Sequence, residues 1–173
     1  MKKAIVIGAS SGIGRALAKI LFQNGYELGV MARRLPLLED LCNELGRDVF
    51  IRKIDAMDTD EAMLILEEFI EAMGGVDLVV ISAGTGDVNE NLDWFIEKET
   101  ILTNATGFAA LANVAVRHFM EKGSGHLVGI SSVAALRGGK ESPAYNASKA
   151  FMSNYLEGLQ QKMFSAKLPI TIT

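Results

Sequence analysis

Short apolar runs alternate along the chain with longer stretches in which apolar residues recur every three or four positions. A continuous apolar run that ends in glycine is typical of a buried parallel strand, whereas the wider spacing predicts an amphipathic helix. The predicted strands cover residues 3–7, 28–32, 49–54, 76–81 and 126–131, and residues 168–173 begin like a sixth. The predicted helices cover residues 13–24, 35–45, 58 or 59 to 73, 91–122 and 145–166.

Strands and helices alternate with short connections, which favours right-handed crossovers and a parallel sheet covered by helices on both faces. The pattern therefore predicts an α/β fold with a doubly wound, Rossmann-like parallel sheet. Because no repeat, low-complexity tract or linker divides the sequence, residues 1–173 are predicted to form one domain. Ligands bind such sheets at the carboxyl ends of the strands, so the residues after each strand are the candidates for a functional site.

Composition and charge exclude several classes of protein. The 173 residues are 49% apolar and 22% charged, with a formal net charge of −4, which argues against a nucleic-acid partner. The apolar run of residues 4–7 stops at Gly8, too early for a signal peptide, and no run is long enough to span a membrane. The single cysteine, Cys42, has no internal disulfide partner, and His118 and His126 have no ligand cluster around them. We therefore expect a cytoplasmic protein with no metal and no membrane partner.

A glycine-rich segment, Gly-Ala-Ser-Ser-Gly-Ile-Gly over residues 8–14, joins the first strand to the first helix and is called the glycine turn. Glycines permit the tight turn and let the backbone approach a diphosphate, and the helix N-terminus supplies free N–H groups. The position between a strand and a helix favours dinucleotide binding over a merely glycine-rich turn. The predicted binding residues are Gly8, Ser10, Ser11, Gly12, Ile13 and Gly14.

Two arginines follow the second strand. A site that prefers NAD(H) usually has an acidic residue about twenty positions after the glycine motif, where it binds the ribose 2′-hydroxyl. Here Arg33 lies nineteen residues after Gly14, and Arg34 follows it. Guanidinium groups bind a 2′-phosphate through charge-assisted hydrogen bonds, so NADP(H) is predicted over NAD(H). The alternative is that both arginines are ordinary solvated loop residues.

Tyr145 and Lys149 are four residues apart at the start of the last predicted helix, so they project from one face. A phenol ordinarily titrates near pH 10, and a neighbouring ammonium favours phenolate, which makes the tyrosine usable as a general acid or base. Ser132 lies thirteen residues before Tyr145, where it could donate a hydrogen bond to a substrate carbonyl oxygen. Asn104 lies within the long predicted helix, although asparagine is a poor helix former. Taken singly, the spacing of Tyr145 and Lys149 could also occur by chance on an amphipathic helix, and Asn104 could be an exposed helix residue.

Taken together and in this order, the motifs resemble the classical short-chain dehydrogenase/reductase family. The resemblance extends from the first strand to the end of the chain and is most specific from Ser131-Ser132 to Tyr145-Asn-Ala-Ser-Lys149. It implies hydride transfer between a nicotinamide and a carbonyl or alcohol carbon.

Within that resemblance, each catalytic residue has an implied role. Tyr145 exchanges the proton, Ser132 orients and polarises the substrate oxygen, and Lys149 assists the tyrosine and binds ribose. Asn104 holds a water in the proton relay. Four further residues are implied in cofactor binding: Asp55 and the backbone of Ala56 at the adenine, and Ala83 with Gly84 after strand four.

The sequence also departs from the family pattern. Ile7 replaces the usual threonine before the first glycine, and Ile81-Ser82 replaces the usual asparagine pair after strand four. Relatives continue past the sixth strand, so we expect this sequence to lack the C-terminal strand and the substrate-loop region. The family also implies a homodimer or homotetramer. The predicted function is an NADP(H)-dependent oxidoreductase acting on a small carbonyl or alcohol; the alternative is a dinucleotide-binding redox sensor or regulator without turnover.

Overall fold

The computed structural model describes residues 1–46 and 49–173. The strands are β1 (Lys3–Ile7), β2 (Glu27–Ala32), β3 (Val49–Lys53), β4 (Leu78–Ile81), β5 (Gly125–Gly129) and β6 (Ile170–Ile172). The α-helices are α1 (Gly12–Gln23), α2 (Leu35–Leu45), α3 (Thr59–Ala72), α4 (Trp94–Ile101), α5 (Phe108–Lys122) and α6 (Pro143–Ser165). A π-helical turn (Leu102–Gly107) joins α4 to α5, and a 3₁₀ turn (Val133–Leu136) follows β5.

The six strands form one parallel sheet in the order β3-β2-β1-β4-β5-β6. The order reverses direction between β1 and β4, which is the doubly wound arrangement that the strand–helix alternation predicts, so that prediction is confirmed. The carboxyl ends of all six strands meet at one edge of the sheet. A crevice at this reversal is the usual place for a ligand in such folds.

Helices bury both faces of the central strands β1, β2 and β4, which explains why these strands are apolar almost throughout. In β1, Ile5 and Ile7 pack into one core while Ala4 and Val6 pack into the other. The first core fills the space under α3, α5 and α6, and the second lies under α1 and α2. The alternation of side chains along a strand therefore places apolar groups on two buried faces.

The long helix predicted over residues 91–122 is wrong in two respects. The helix begins at Trp94, because the side chain of Asp93 accepts a hydrogen bond from the Phe95 N–H and caps it. It is also interrupted by the π-helical turn, which ends at Gly107. A side-chain carbon at Gly107 would lie 2.2 Å from the carbonyl oxygen of Ala56, so only glycine permits this close packing.

Smaller differences in bounds affect the candidate site. Strand β5 ends at Gly129, so Ser131 and Ser132 follow the strand rather than end it. Helix α6 begins at Pro143, which places Tyr145 in its first turn. Among the described residues, no helix is long and apolar enough to cross a membrane.

Asp77 joins the amino end of β1 to the carboxyl end of α5 at the edge of the sheet opposite the candidate site. Its carboxylate accepts a hydrogen bond from the Lys3 backbone N–H at 2.8 Å and pairs with the ammonium of Lys122. The hydrogen bond from Lys122, followed by that from the Lys3 backbone, holds the pKa of Asp77 below its ordinary value. The folded state therefore favours the ionised carboxylate.

We expect Asp77→Asn to lower the free energy of unfolding at pH 7 by roughly 1 kcal/mol, a value discounted for the partial exposure of the pair. Because the folded pKa is depressed, the contribution is fully present above the unfolded pKa and is lost as pH falls through the folded pKa. Urea unfolding of both proteins between pH 7 and pH 3 measures this. A difference that stays constant over that range contradicts the assignment.

Candidate functional site

A cleft of about 780 Å³ opens at the carboxyl edge of the sheet, where the strand order reverses. The predicted residues that line it are Gly8, Ser10, Ser11, Gly12, Ile13, Arg33, Arg34, Asp55, Ala56, Ala83, Gly84, Tyr145 and Lys149. The described residues that line the cleft do not include three of the predicted ones: Gly14, Asn104 and Ser132. The fold therefore brings the glycine turn, the arginines and the tyrosine–lysine pair along one continuous cleft.

The glycine turn is held by backbone contacts that leave no room for side chains. Gly8 has a φ of +93°, and a side-chain carbon there would lie 2.4 Å from the backbone nitrogen of Ala83. Gly14 is buried beneath the turn, where a side-chain carbon would lie 2.3 Å from the Gly8 carbonyl oxygen. Two of the three glycines are thus required by packing within the protein.

Gly12 differs because its Cα faces open space. Its φ is +57°, and nothing lies within 4 Å of the position that a side-chain carbon would occupy. It is also the first residue of α1, whose N-terminus has no side-chain cap. Free N–H groups at a helix N-terminus, beside a surface without side chains, are suited to bind an anionic group such as a diphosphate.

The two arginines after β2 have different partners. Arg34 donates hydrogen bonds to the hydroxyl oxygens of Ser10 at 3.0 Å and Ser11 at 2.8 Å, so it is attached to the glycine turn. Arg33 turns towards α4, where its Nη1 lies 3.3 Å from a carboxylate oxygen of Glu99. Both guanidinium groups line the same end of the cleft as Asp55. This end therefore carries two guanidinium groups, with the carboxylate of Asp55 in the same lining and that of Glu99 paired to Arg33.

Tyr145 and Lys149 lie together at the other end of the cleft. The Nζ atom of Lys149 is 5.8 Å from the centroid of the Tyr145 ring and donates a hydrogen bond to the Ile130 carbonyl oxygen at 2.8 Å. Lys149 is 6% exposed, and burial lowers the pKa of its ammonium group. The two residues share one face of α6, as their spacing of four predicts.

Asn104 is fully buried in the π-helical turn and is not an exposed helix residue. Its Oδ1 accepts a hydrogen bond from the Thr85 N–H at 2.9 Å, and its Nδ2 donates to the Thr85 carbonyl oxygen at 2.6 Å and to Ser148 Oγ at 3.1 Å. A side-chain carbon at Gly84 would lie 3.2 Å from Asn104 Oδ1 and 3.5 Å from Lys149 Nζ, so these two polar groups converge beside Gly84.

Ser132 begins the 3₁₀ turn, where its Oγ accepts a hydrogen bond from the Ala134 N–H at 3.1 Å. Its hydroxyl hydrogen is not used by that bond and is free to be donated. The preceding residue, Ser131, lines the cleft, and its Oγ bonds Ser153 Oγ at 2.7 Å and the Lys149 carbonyl oxygen at 3.2 Å.

Sequence reasoning missed several residues of the site. Thr85 and Gly86 line the cleft on the loop that follows β4, residues 82–93, which we call the β4 loop. Thr103 also lines it, and its buried hydroxyl has no hydrogen-bond partner within the described residues. The position of the β4 loop at the carboxyl end of a central strand was the available signal. The role of Ser148 has no signal in the sequence, because it depends on the contact between two helices.

The cleft suits a dinucleotide. It runs from two arginines, past a helix N-terminus with an open glycine, to a buried lysine beside a tyrosine. Its wall also includes the hydroxyl of Thr103, for which the described part of the chain offers no hydrogen-bond partner. Within residues 1–46 and 49–173, no cluster of His, Cys, Asp and Glu has the composition of a metal site.

Comparison with known proteins agrees with this geometry. A sequence profile described as short chain dehydrogenase matches residues 2–173. An uncharacterized oxidoreductase of Myxococcus xanthus is 37% identical over 98% of the chain and 69% of the relative. An uncharacterized oxidoreductase of Staphylococcus aureus is 29% identical over 98% of the chain and 75% of the relative.

Two solved structures are similar over almost the whole chain. A crystal structure of an actinorhodin polyketide ketoreductase with NADPH has a TM-score of 0.87 and 27% identity, covering 99% of this chain and 67% of that one. An alcohol dehydrogenase from the archaeon Thermococcus sibiricus, complexed with 5-hydroxy-NADP, has a TM-score of 0.85 and 28% identity, covering 94% and 71%. These similarities support a nicotinamide dinucleotide as the cofactor.

The open face of Gly12 predicts a separation between folding and cofactor binding. We expect Gly12→Ala to lower the free energy of unfolding by only about 1 kcal/mol, the cost of a left-handed alanine. The added methyl group projects into the cleft, so the affinity for NADPH should fall at least tenfold. Fluorescence titration and urea unfolding measure the two quantities.

Gly25→Ala is the matched control, because Gly25 also has a positive φ, +78°, and open space, but lies outside the cleft lining. It should cost similar stability and leave NADPH affinity unchanged. If both variants bind NADPH as the unaltered protein does, the glycine turn does not contact the cofactor.

Proposed function

Because the chain belongs to the short-chain dehydrogenase family, whose members are oxidoreductases, we propose that it transfers a hydride between NADP(H) and a carbonyl or alcohol substrate. The observation that carries this proposal is the shared cleft. One end presents Arg33, Arg34 and the glycine turn, and the other presents Tyr145 beside Lys149. A protein that only sensed a dinucleotide would need the first end alone.

In the proposed reaction, Tyr145 acts as general acid or base. In the reducing direction, NADPH bound in the cleft would supply the hydride for the substrate carbonyl carbon. The substrate C=O π bond breaks, and the carbonyl oxygen takes the phenolic proton of Tyr145 to become a hydroxyl group. Tyr145 is left as phenolate, and the positive charge of Lys149, whose Nζ lies 5.8 Å from the centroid of the tyrosine ring, stabilises it. The oxidising direction reverses each transfer.

Ser132, Lys149 and Asn104 are proposed to support that proton transfer. The free hydroxyl hydrogen of Ser132 is suited to donate to the substrate oxygen, because its lone pair already accepts from Ala134. Lys149 is also suited to bind ribose hydroxyls, since only one of its hydrogens is directed to Ile130. Asn104 Oδ1 keeps a second lone pair, and its convergence with Lys149 beside Gly84 supports a water between them.

The preference for NADP(H) over NAD(H) is proposed from the charges beside the glycine turn. Arg33 and Arg34 offer donors to a 2′-phosphate, and Arg34 already bonds the hydroxyls of Ser10 and Ser11. No carboxylate occupies the position directly after β2, where one would repel that phosphate. The homodimer or homotetramer and the cytoplasmic location that the resemblance implies stay predictions.

The role of Tyr145 is tested by Tyr145→Phe, which removes only the phenolic oxygen. We expect kcat for ketone or aldehyde reduction to fall by roughly 10²- to 10⁴-fold, the usual contribution of a general acid, while NADPH affinity stays within twofold. NADPH oxidation across a panel of ketones and aldehydes measures the rate, and fluorescence measures the affinity.

The matched control for this experiment is Tyr155→Phe on the same helix, where the ring packs against Phe108 and Phe151. It should leave the rate nearly unchanged. Full activity of Tyr145→Phe would remove the residue from the proposed role. NADPH binding without turnover on any substrate of a broad panel would favour the sensor instead.

The cofactor preference is tested by Arg33→Ala. Loss of a charge-assisted hydrogen bond to the 2′-phosphate should weaken NADPH binding roughly 10- to 100-fold, with NADH binding changed less than threefold. Arg34→Ala should also weaken NADPH binding more than NADH binding. It should cost further affinity for both cofactors, because Ser10 and Ser11 lose their hydrogen bonds to the arginine. Arg117→Ala, on α5 and paired with Glu67, is the control. Equal losses for NADPH and NADH in Arg33→Ala would refute contact with the 2′-phosphate.

A further inference from the structure

Gly86, in the β4 loop, lies against the ring of Tyr145. A side-chain carbon at Gly86 would lie 2.2 Å from Cδ2 of the Tyr145 ring and 2.8 Å from both Cε2 and Cγ. Such distances are far inside van der Waals contact, so the backbone reaches the ring only because residue 86 has no side chain. Gly86 is not among the residues with positive φ, and therefore the requirement is for space and not for a special backbone conformation.

The β4 loop is held in place on both sides of Gly86. On one side, Thr85 exchanges two hydrogen bonds with the buried amide of Asn104, at 2.9 Å and 2.6 Å. On the other side, the Asp87 carbonyl oxygen accepts a hydrogen bond from Ser142 Oγ at 2.9 Å, and the Asn89 N–H donates to the Glu141 carbonyl oxygen at 2.7 Å. The bonds of Thr85 attach the loop to the π-helical turn, and those of Asp87 and Asn89 attach it to the two residues directly before α6, the helix that carries Tyr145.

The ring of Tyr145 therefore lies between a fixed backbone and the open cleft. The loop cannot retreat without breaking several hydrogen bonds, whereas the half-buried ring has the cleft on its other side. A methyl group at residue 86 would consequently push the ring into the cleft and alter its position relative to Lys149. A displacement of about 1 Å at a reacting group can reduce the rate about a hundredfold.

We propose that Gly86 is a positioning residue for the reaction: the bare backbone at this residue fixes the Tyr145 ring beside Lys149. This inference rests on the proposed role of Tyr145 as the proton-transfer group. It concerns a contact between two parts of the chain, so it can be tested on the protein alone as well as during turnover.

The first test is Gly86→Ala. We expect kcat to fall 10- to 100-fold while NADPH affinity stays within threefold, because the glycine turn is untouched. The pH dependence of alcohol oxidation should also change, because the displaced ring no longer lies in the same position relative to Lys149. A merely structural residue would leave that pH profile in place.

A second readout needs no cofactor. The chain contains three tyrosines, so NMR of ring-labelled protein resolves few signals, and Tyr145→Phe identifies that of Tyr145. Gly86→Ala should shift the Tyr145 ring signal and leave those of Tyr26 and Tyr155 in place. Gly158→Ala is the control, because Gly158 lies on the same helix as Tyr145 with nothing within 4 Å of the added methyl group.

The double variant separates this inference from the proposed function. If Gly86 acts through the ring, adding Gly86→Ala to Tyr145→Phe should change the residual rate less than twofold. If Gly86→Ala leaves the rate, the pH profile and the ring signal unchanged while Tyr145→Phe is inactive, the inference about Gly86 fails and the proposed function stands. If Tyr145→Phe is fully active, the proposed function itself fails.

The experiment remains decisive if Gly86→Ala is too unstable to assay. In that case the melting temperatures of Gly86→Ala and of Gly86→Ala combined with Tyr145→Ala are compared. Removal of the ring should restore the melting temperature to that of Tyr145→Ala alone, because the clash is then relieved. A double variant as unstable as Gly86→Ala would place the clash elsewhere and overturn the inference.

Discussion

The backbone of the β4 loop lies directly against three other parts of the molecule. Ala83 contacts the glycine turn at Gly8, Gly84 lies beside Asn104 and Lys149, and Gly86 lies against Tyr145. Each of these contacts depends on a glycine on one side or the other. The β4 loop, at residues 83–86, therefore fixes the positions of the glycine turn, the π-helical turn and the start of α6 relative to each other.

This shared contact explains how distant parts of the sequence act as one cleft. The glycine turn lies near the start of the chain, and Tyr145 and Lys149 lie more than a hundred residues later. Asn104 holds the loop from the buried side by both backbone groups of Thr85, and it reaches α6 through Ser148. Because a buried amide with hydrogen bonds at both its oxygen and its nitrogen is costly to disturb, Asn104 holds the loop in a fixed position for the groups around it.

The parts of the fold that follow from local pattern could be predicted, and the parts that depend on contacts between elements could not. The strands have nearly the expected bounds, because buried apolar runs and terminal glycines are local signals. The interruption of the helix over residues 91–122 has no such signal: Gly107 is one glycine, and its reason is the approach of Ala56. Likewise Gly86 and Ser148 occupy ordinary positions in the sequence. Gly86 contacts Tyr145 only because α6 packs on the β4 loop, and Ser148 contacts Asn104 only because α6 packs on the π-helical turn.

The surroundings of Lys149 indicate why the tyrosine and the lysine belong together in the proposed function. Burial lowers the pKa of Lys149, since its ammonium loses water in the cleft wall. The Ile130 carbonyl oxygen and the face of the Tyr145 ring offset part of that loss. A phenolate at Tyr145 would offset more, because an opposite charge then lies close to the ammonium. In the proposed function, the buried ammonium of Lys149 and a phenolate formed during the reaction would therefore stabilise each other.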